Sequence, residues 1–306
     1  MDIQVIISQM AVLFILIALG YITGKIKMLT PEGVKALSRV AINISTPATI
    51  LNSVFTSSGG ITGSSAMNFL FLSVLAFALF FLIAIPSARL LGAGDKANRG
   101  LYTSIIVFGN VGFMGYPVVN AIFGADAVFY AALVNIVFNV LTYSIGIILI
   151  SGKGRNANLK LLLNATLIAS IISFVIVYTG YRAPFVVTEA LRIASGLNTP
   201  CAMLVIGATL SSISFKDVFS KWQLYPAALI KLVAFPAVTW LIFKQFVPDG
   251  MLLGVLTVLS GMPVAAAVAM LAVEYGGEER IASSSVFLTT LLSAATIPLV
   301  VYVFLN

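Results

Sequence analysis

Two short runs of glycine and proline interrupt apolar stretches of the chain. The first, at residues 108–117, reads FGNVGFMGYP, and the second, at residues 260–263, reads SGMP. Glycine and proline break helices, and a bilayer tolerates a broken backbone only where protein or a water-filled cavity satisfies its polar groups. Paired breaks in corresponding positions of two halves are typical of the binding site of a membrane carrier.

The residue types in these runs favour the binding of an anion by neutral groups. Pro117 and Pro263 are predicted to lie in the first turn of the helical segments that follow them, because proline lacks only an N–H that is unpaired at a helix start. Such starts present N–H groups and the positive end of a dipole, which suit a carboxylate. Asn110 offers amide donors and Ser260 a hydroxyl. The predicted substrate-binding residues here are Asn110, Gly115, Pro117, Ser260, Gly261 and Pro263.

A simpler interpretation of both runs is structural. Glycine and proline kink helices, and small residues let membrane helices pack closely. For a single interruption this interpretation is the better one. Because two interruptions are present, we favour the binding site.

Composition places the chain in a membrane. Hydrophobic residues make up 60% of it and charged residues 9%, against roughly 45–50% and about 25% in soluble domains. The net charge of +7 comes from basic residues between apolar runs, so it is a topology signal and predicts no nucleic-acid partner. The chain has no histidine and one cysteine, and no acidic pair lies within the apolar spans. We therefore expect neither an enzyme nor a metal or other cofactor.

The apolar runs divide into ten predicted transmembrane helices. The division between the fourth and the fifth rests on Gly124, because two runs of about 50 residues together are too long for one crossing. The predicted spans are 3–23, 34–56, 66–91, 100–122, 127–151, 160–180, 184–212, 222–246, 251–273 and 281–305.

Lysine and arginine predict how these helices are oriented. Most of the 17 basic residues follow the first, third, fifth and seventh spans. Cytoplasmic loops carry the excess of such residues, so both termini are predicted to be external and the middle loop cytoplasmic. The opposite, external side is assigned Arg182, Arg192, Lys244 and Arg280.

An internal repeat relates the two halves. Arg39, Ala41, Thr46-Pro47 and Leu51 recur at a constant offset as Arg192, Ala194, Thr199-Pro200 and Leu204, and the Gly-x-Pro-Val of residues 115–118 recurs at 261–264. Each half holds five spans, an odd number, so the second half enters the membrane from the opposite side. The predicted fold is an all-α membrane protein of two inverted five-helix repeats, residues 1–152 and 153–306, in which the fourth and ninth helices are broken.

Other polar residues within the spans are further candidates. Asn139 shares one helical face with Asn135 and Thr142, and Thr289 shares one with Ser285 and Ser293. Either face could line a cavity, although hydrogen bonding between helices is the better interpretation of each residue alone. The polar residues around the prolines of the second and seventh spans either face the substrate or cap the kinks. They include the candidates Asn43, Thr46, Asn198 and Thr199.

Lys231 is the one basic residue well inside a predicted span. It lies nine residues after Trp222, about 13 Å along a helix. A long side chain still reaches the interface from that depth, so we expect the ammonium to snorkel. The alternative is an ion pair or a role in coupling transport to an ion.

The first broken run also resembles a known family. Residues 110–117 are similar to the Asn-x-x-x-Met-Gly-x-Pro signature of the auxin efflux carriers, and Ala-Val-Glu-Tyr at 272–275 is similar to the end of their ninth helix. The resemblance implies membership of the superfamily that contains the bile-acid sodium symporters. It also implies a scaffold of helices 1, 2, 6 and 7, a mobile transport domain of helices 3–5 and 8–10 in which the broken helices cross, and a homodimer.

The length of the middle loop specifies which members the chain resembles. Plant members have a long hydrophilic loop, whereas residues 151–159 alone join the halves here. The chain is similar to the short bacterial members, which implies the inner membrane and a substrate such as malate, malonate, lactate or an auxin-like acid. We predict a secondary transporter that moves this anion by alternating access of the elevator type. The alternatives are a sodium-coupled symporter of bile-acid-like anions and a membrane sensor without flux.

Overall fold

The protein is helical wherever its structure is described. The computed structural model describes residues 3–56, 62–91, 96–151, 164–214, 218 and 221–305. Within these residues, the only extended pairing is one isolated bridge, between Gly109 and Val264. The prediction of an all-α protein is confirmed for this part of the chain.

Six helices of the described residues are long and apolar enough to cross a bilayer, which needs about 20 residues. They account for the predicted spans 1, 3, 5, 7, 8 and 10. Their bounds are Gln4–Lys25, which continues a helix begun at Ile3, Gly63–Leu91, Ala125–Ser151, Phe185–Ser211, Leu224–Phe243 and Glu279–Leu305.

The remaining helices are shorter. Pro31–Val40 and Thr46–Thr56 occupy the second predicted span, and Ala165–Thr179 occupies the sixth. The fourth and ninth spans are each broken into two helices, as the glycines and prolines predict. The broken pairs are Lys96–Val107 with Val111–Phe123 and Gly250–Ser260 with Ala266–Tyr275.

Several of these helices contain a turn of π-helix. Three such turns end two residues before a proline, at Pro47, Pro117 and Pro236. A proline ring removes one helical hydrogen bond and crowds the carbonyl four residues earlier, and the wider π-turn accommodates both effects. The π-turns are Ala41–Ser45, Val111–Gly115, Thr142–Gly146 and Ile230–Ala234; the α-helical parts beside the last three are Tyr116–Phe123, Ala125–Leu141, Ile147–Ser151, Leu224–Leu229 and Phe235–Phe243.

Polar caps and glycines fix the helix ends. The Asn164 side chain accepts a hydrogen bond from the Leu167 N–H, and Asp249 accepts from the N–H groups of the first turn after it. Gly124 has a φ of +85°, which favours glycine, and it ends one helix directly before Ala125–Leu141 begins. The predicted division between the fourth and fifth spans is therefore confirmed.

The chain forms two compact units, each built from several separate stretches. The first comprises Met1–Phe71, Gly112–Ile136 and Leu163–Ser212. In it, the first helix packs along Asn198–Ser211, and a Cβ added at Gly20 would lie 2.5 Å from the Leu204 carbonyl oxygen. Small residues thus allow these two helices to approach closely.

The second unit comprises Leu72–Val111, Val137–Leu162 and Ile213–Asn306. In it, Lys96–Val107 packs against Ile147–Ser151, and Ala266–Tyr275 packs against Glu279–Leu305. This unit contains both breaks in the helical backbone, at residues 108–110 and 261–265, which overlap the predicted runs 108–117 and 260–263.

An ion pair in the second unit corrects the predicted side of Arg280. The Lys221 ammonium lies 3.8 Å from the Glu278 carboxylate. The segment before Glu279 is therefore at the same end of the unit as the segment before Leu224, and Arg280 belongs there too. Alternation of the predicted spans requires the same arrangement, because the eighth and ninth spans together return the chain to the side from which it left.

Candidate functional site

The two breaks pair with each other through their backbones. The Asn110 N–H donates to the Pro263 carbonyl oxygen at 2.7 Å, and the Ala265 N–H donates to the Phe108 carbonyl oxygen at 3.0 Å. These bonds make an antiparallel bridge between Gly109 and Val264. We call this pairing of residues 108–110 with 263–265 the crossing.

The crossing satisfies backbone groups that a break would leave unpaired. Broken backbone inside a membrane protein needs partners, because no water is available in the hydrocarbon region. The Val264 N–H, which faces away from this pairing, donates to the Thr289 hydroxyl oxygen at 3.0 Å. That hydroxyl donates in turn to the Ser285 carbonyl oxygen at 2.6 Å. Thr289 therefore attaches the crossing to the last helix.

The prediction that Pro117 and Pro263 lie in the first turn of a helix is confirmed for Pro117 and wrong for Pro263. Pro117 lies in the first turn of the α-helix Tyr116–Phe123, although the helical backbone already resumes at Val111 with the π-turn Val111–Gly115. After the second break it resumes at Ala266, and Pro263 belongs to the break itself. Proline inside the first segment is accommodated by the wider turn, and Pro263 contributes a carbonyl to the crossing.

The predicted site residues of the second unit surround the crossing or lie in its supporting helices. Asn110, Gly261, Pro263 and Thr289 are buried within it or directly beside it. Ser260 is also buried, but its hydroxyl donates to the Thr257 carbonyl oxygen of its own helix at 2.6 Å. Asn139 is buried in the same unit, on the helix Ala125–Leu141.

Six of the predicted site residues lie in the first unit. The Thr46 hydroxyl donates to the Asn198 side-chain oxygen at 2.8 Å, which joins the two Thr-Pro copies of the internal repeat. Thr199 is half-buried, whereas Asn43 is exposed and its amide donates to the Arg39 carbonyl oxygen. Gly115 and Pro117 are both buried. The hydrogen bond of Asn43 within its own helix fits the alternative interpretation, in which the polar residues near the prolines cap the kinks.

Lys231 does not snorkel. Its side chain is 1% exposed, and its ammonium donates to the Val107 carbonyl oxygen at 3.1 Å. The ammonium also lies 5.3 Å from the centre of the Phe235 ring and 5.8 Å from that of Phe80. The prediction used only its depth along the helix, and depth does not tell which neighbours a side chain faces.

Lys231 is the only charged residue that is buried among the described residues. In the same part of the chain, no group of histidine, cysteine, aspartate or glutamate could hold a metal ion. A cation with no acidic partner in a low-dielectric interior is costly, and such groups in membrane proteins are usually functional.

Sequence reasoning missed the surroundings of Lys231. Val107, Gly109, Phe80 and Phe235 come from three different helical segments and their connections, and nothing in their spacing links them. Gly109 carries the one available signal, since it is part of the broken run. A Cβ added there would lie 2.9 Å from the Lys231 ammonium nitrogen and 3.2 Å from the Met262 carbonyl oxygen.

Comparisons with known proteins agree with this architecture. A model of the family described as "Membrane transport protein" matches residues 5–158 and 153–301. An uncharacterized transporter of Methanocaldococcus jannaschii is 28% identical over 308 residues, which cover 96% of this chain and 97% of the relative.

More distant relatives extend over nearly the same length. The uncharacterized transporter YfdV of Escherichia coli is 22% identical and covers 97% of both chains. A putative malonate transporter of Rhizobium meliloti is 22% identical, with 94% of this chain and 92% of the relative covered. With the two matched stretches spanning almost all of its length, the chain belongs to the membrane transport protein family, and its resemblance to the auxin efflux carriers is confirmed.

Proposed function

We propose that the protein is a secondary active transporter of a small organic anion, a carboxylate such as malate, malonate, lactate or an auxin-like acid. The observation that carries this proposal is the crossing, where two broken segments meet in a buried part of the second unit. Broken segments that meet within a membrane protein commonly bind the transported molecule. The relative named as a putative malonate transporter supports a carboxylate.

The proposed site lies at the crossing. Asn110 is 6% exposed and supplies neutral hydrogen-bonding groups next to a helix start at Val111. Gly261 keeps side-chain bulk away from the second break, Pro263 supplies a carbonyl oxygen to the crossing, and Thr289 holds the break in place. Ser260 and Asn139 are the remaining proposed members within this unit.

The alternating-access part of the proposal extends to the whole chain. It assigns ten transmembrane helices to two inverted repeats, both termini to the external side, and the middle loop to the cytoplasm of a bacterial cell. Helices 3–5 and 8–10 would move relative to helices 1, 2, 6 and 7. Gly115, Pro117, Asn43, Thr46, Asn198 and Thr199 would serve as substrate-facing or supporting residues in the first unit.

Replacement of Asn110 tests the proposed site. Asn110→Ala removes the side-chain amide donors, so we expect malonate uptake by reconstituted liposomes to fall by about tenfold or more, the scale of a lost hydrogen bond to a charged group. Asn120→Ala is the matched control, because Asn120 is exposed on the helix that follows the same break. Uptake at the wild-type rate by the folded Asn110→Ala protein would remove Asn110 from the site.

Sodium-coupled symport is the second candidate, and Thr257 favours it. Its hydroxyl oxygen is buried in the helix Gly250–Ser260 and has no hydrogen-bond partner among the residues that the structure describes, and hard cations prefer oxygen ligands. Replacing sodium by choline in the uptake assay separates the two candidates, since symport stops without sodium. A sensor would bind carboxylates without moving any of them across the liposome membrane.

A further inference from the structure

The two helices that end at the crossing both place partial negative charge near the proposed anion site. Lys96–Val107 and Gly250–Ser260 both direct their carboxyl-terminal ends toward the breaks. Unpaired carbonyls at such an end carry partial negative charge, which repels a carboxylate. An anion site at the crossing therefore requires that both ends be neutralised.

The helix Gly250–Ser260 neutralises its end with its own chain. The Ser260 hydroxyl donates to the Thr257 carbonyl oxygen, and the Gly261 and Met262 N–H groups donate to the Val258 and Leu259 carbonyl oxygens at 3.1 and 3.3 Å. All of these partners are uncharged. This end is satisfied, but it gains no positive charge.

The helix Lys96–Val107 uses a formal charge instead. Its last carbonyl, that of Val107, accepts from the Lys231 ammonium at 3.1 Å. The rings of Phe80 and Phe235 complete the surroundings of that ammonium, with their centres 5.8 and 5.3 Å from its nitrogen. The two rings stack on each other, 4.4 Å between centres, which holds both in position.

No carboxylate of the described residues is buried near this ammonium. The acidic residues that the structure describes are Glu32, Asp126, Glu189, Asp249, Glu274, Glu278 and Glu279, and all are at least partly exposed. The positive charge of Lys231 therefore interacts with the carbonyl end of the helix Lys96–Val107 and with any ligand bound at the crossing. In a low-dielectric interior, that charge acts over several ångströms.

We propose that Lys231 is the residue that makes the crossing select anions over neutral molecules of the same shape, an inference that rests on the proposed function. Its ammonium cancels the negative end of Lys96–Val107 and leaves the positive start at Val111 to dominate the field at Asn110. Lys231 acts through this field and forms no bond to the substrate. Its effect therefore depends on the charge of the ligand.

Gly109 is part of the same arrangement. Any side chain there would meet the ammonium nitrogen at 2.9 Å and the Met262 carbonyl oxygen at 3.2 Å. Only glycine lets the crossing and the ammonium lie this close together. Gly109→Ala should therefore displace the ammonium, the Met262 carbonyl group or both.

The test compares malonate with malonamide, its uncharged diamide, as ligands of the purified full-length protein. We expect the wild type to bind malonate more tightly than malonamide. Lys231→Met should reduce malonate affinity by at least about tenfold, the scale of a unit charge at close range in a partly screened interior, and leave malonamide affinity unchanged. A buried methionine of similar volume is compatible with folding, because replacing a buried charge by an apolar group is often tolerated.

Lys244→Met is the matched control. Lys244 also lies over an aromatic ring, 4.1 Å from the centre of Trp240, but it is exposed. The Lys244→Met variant should keep the wild-type affinities for malonate and for malonamide. Gly109→Ala, whose methyl group crowds both the ammonium and the Met262 carbonyl oxygen, should weaken malonate binding.

Two results would overturn the proposal. In the first, Lys231→Met keeps the wild-type preference for malonate. In the second, Lys231→Met weakens the binding of malonate and of malonamide equally, as expected if the lysine has only a structural role. A wild type that binds no carboxylate at all contradicts the proposed function itself, so the two failures are distinguishable. If Lys231→Met does not fold, Lys231→Gln, which keeps a hydrogen-bond donor for the Val107 carbonyl oxygen but has no charge, decides between the same outcomes.

Discussion

At the scale of single residues, the structure shows which group each polar side chain bonds to, whereas the sequence shows only that the polar residue is present. Thr46 and Asn198 are 152 positions apart, yet their side chains form a buried hydrogen bond of 2.8 Å. Each is the first residue of an α-helix that begins at a Thr-Pro segment. The bond links the two copies of the repeat within one unit.

Removing this bond should destabilise the first unit without a change of fold. Thr46→Val leaves the Asn198 oxygen buried and unpaired, so we expect a loss of about 1–3 kcal/mol in the free energy of unfolding. Combining it with Asn198→Leu should recover part of that loss in a double-mutant cycle. Thr56→Val, at an exposed hydroxyl bonded within its own helix, is the control. Additive effects of the two substitutions would contradict the pairing.

At the scale of helices, the sequence predicted where the chain breaks but not how the breaks pair. Glycine and proline predicted both broken spans and the division at Gly124, because these breaks depend on the local backbone preferences of the two residue types. The register that sets Gly109 opposite Val264 depends on contacts between distant segments. The π-turns before Pro117 and Pro236 and the neighbours of Lys231 were missed for the same reason.

Packing of the first helix against Asn198–Ser211 gives a prediction at this scale. A methyl group at Gly20 would lie 2.5 Å from the Leu204 carbonyl oxygen, a backbone atom that cannot turn aside. Gly20→Ala should therefore lower stability by about 1–3 kcal/mol through overpacking, measured as a lower midpoint of thermal unfolding. Gly33→Ala is the control, because its nearest neighbour would be at 3.6 Å. Equal stability of both variants would contradict the close approach.

At the scale of the whole molecule, orientation in the membrane is the main prediction still to be tested. The sequence assigns the segment after the first helix to the cytoplasm and the one near Arg182 to the outside, from the excess of basic residues. Met28 and Arg182 are exposed representatives of these segments. Cys201 is the only cysteine of the chain and is buried.

Single cysteines provide the test of orientation. In a Cys201→Ala background, a membrane-impermeant thiol reagent added to intact cells should label Arg182→Cys at once. It should label Met28→Cys only after the cells are permeabilised. The reverse pattern would invert the proposed topology, although it would leave the crossing unaffected.

An experimental structure of the purified protein with malonate bound would test the central claim most directly. We predict that the ligand lies at the crossing, with a carboxylate within hydrogen-bonding distance of the Asn110 amide and residues 108–110 still paired with 263–265. Malonate bound away from both segments, or a continuous helix through residues 108–110, would contradict the account.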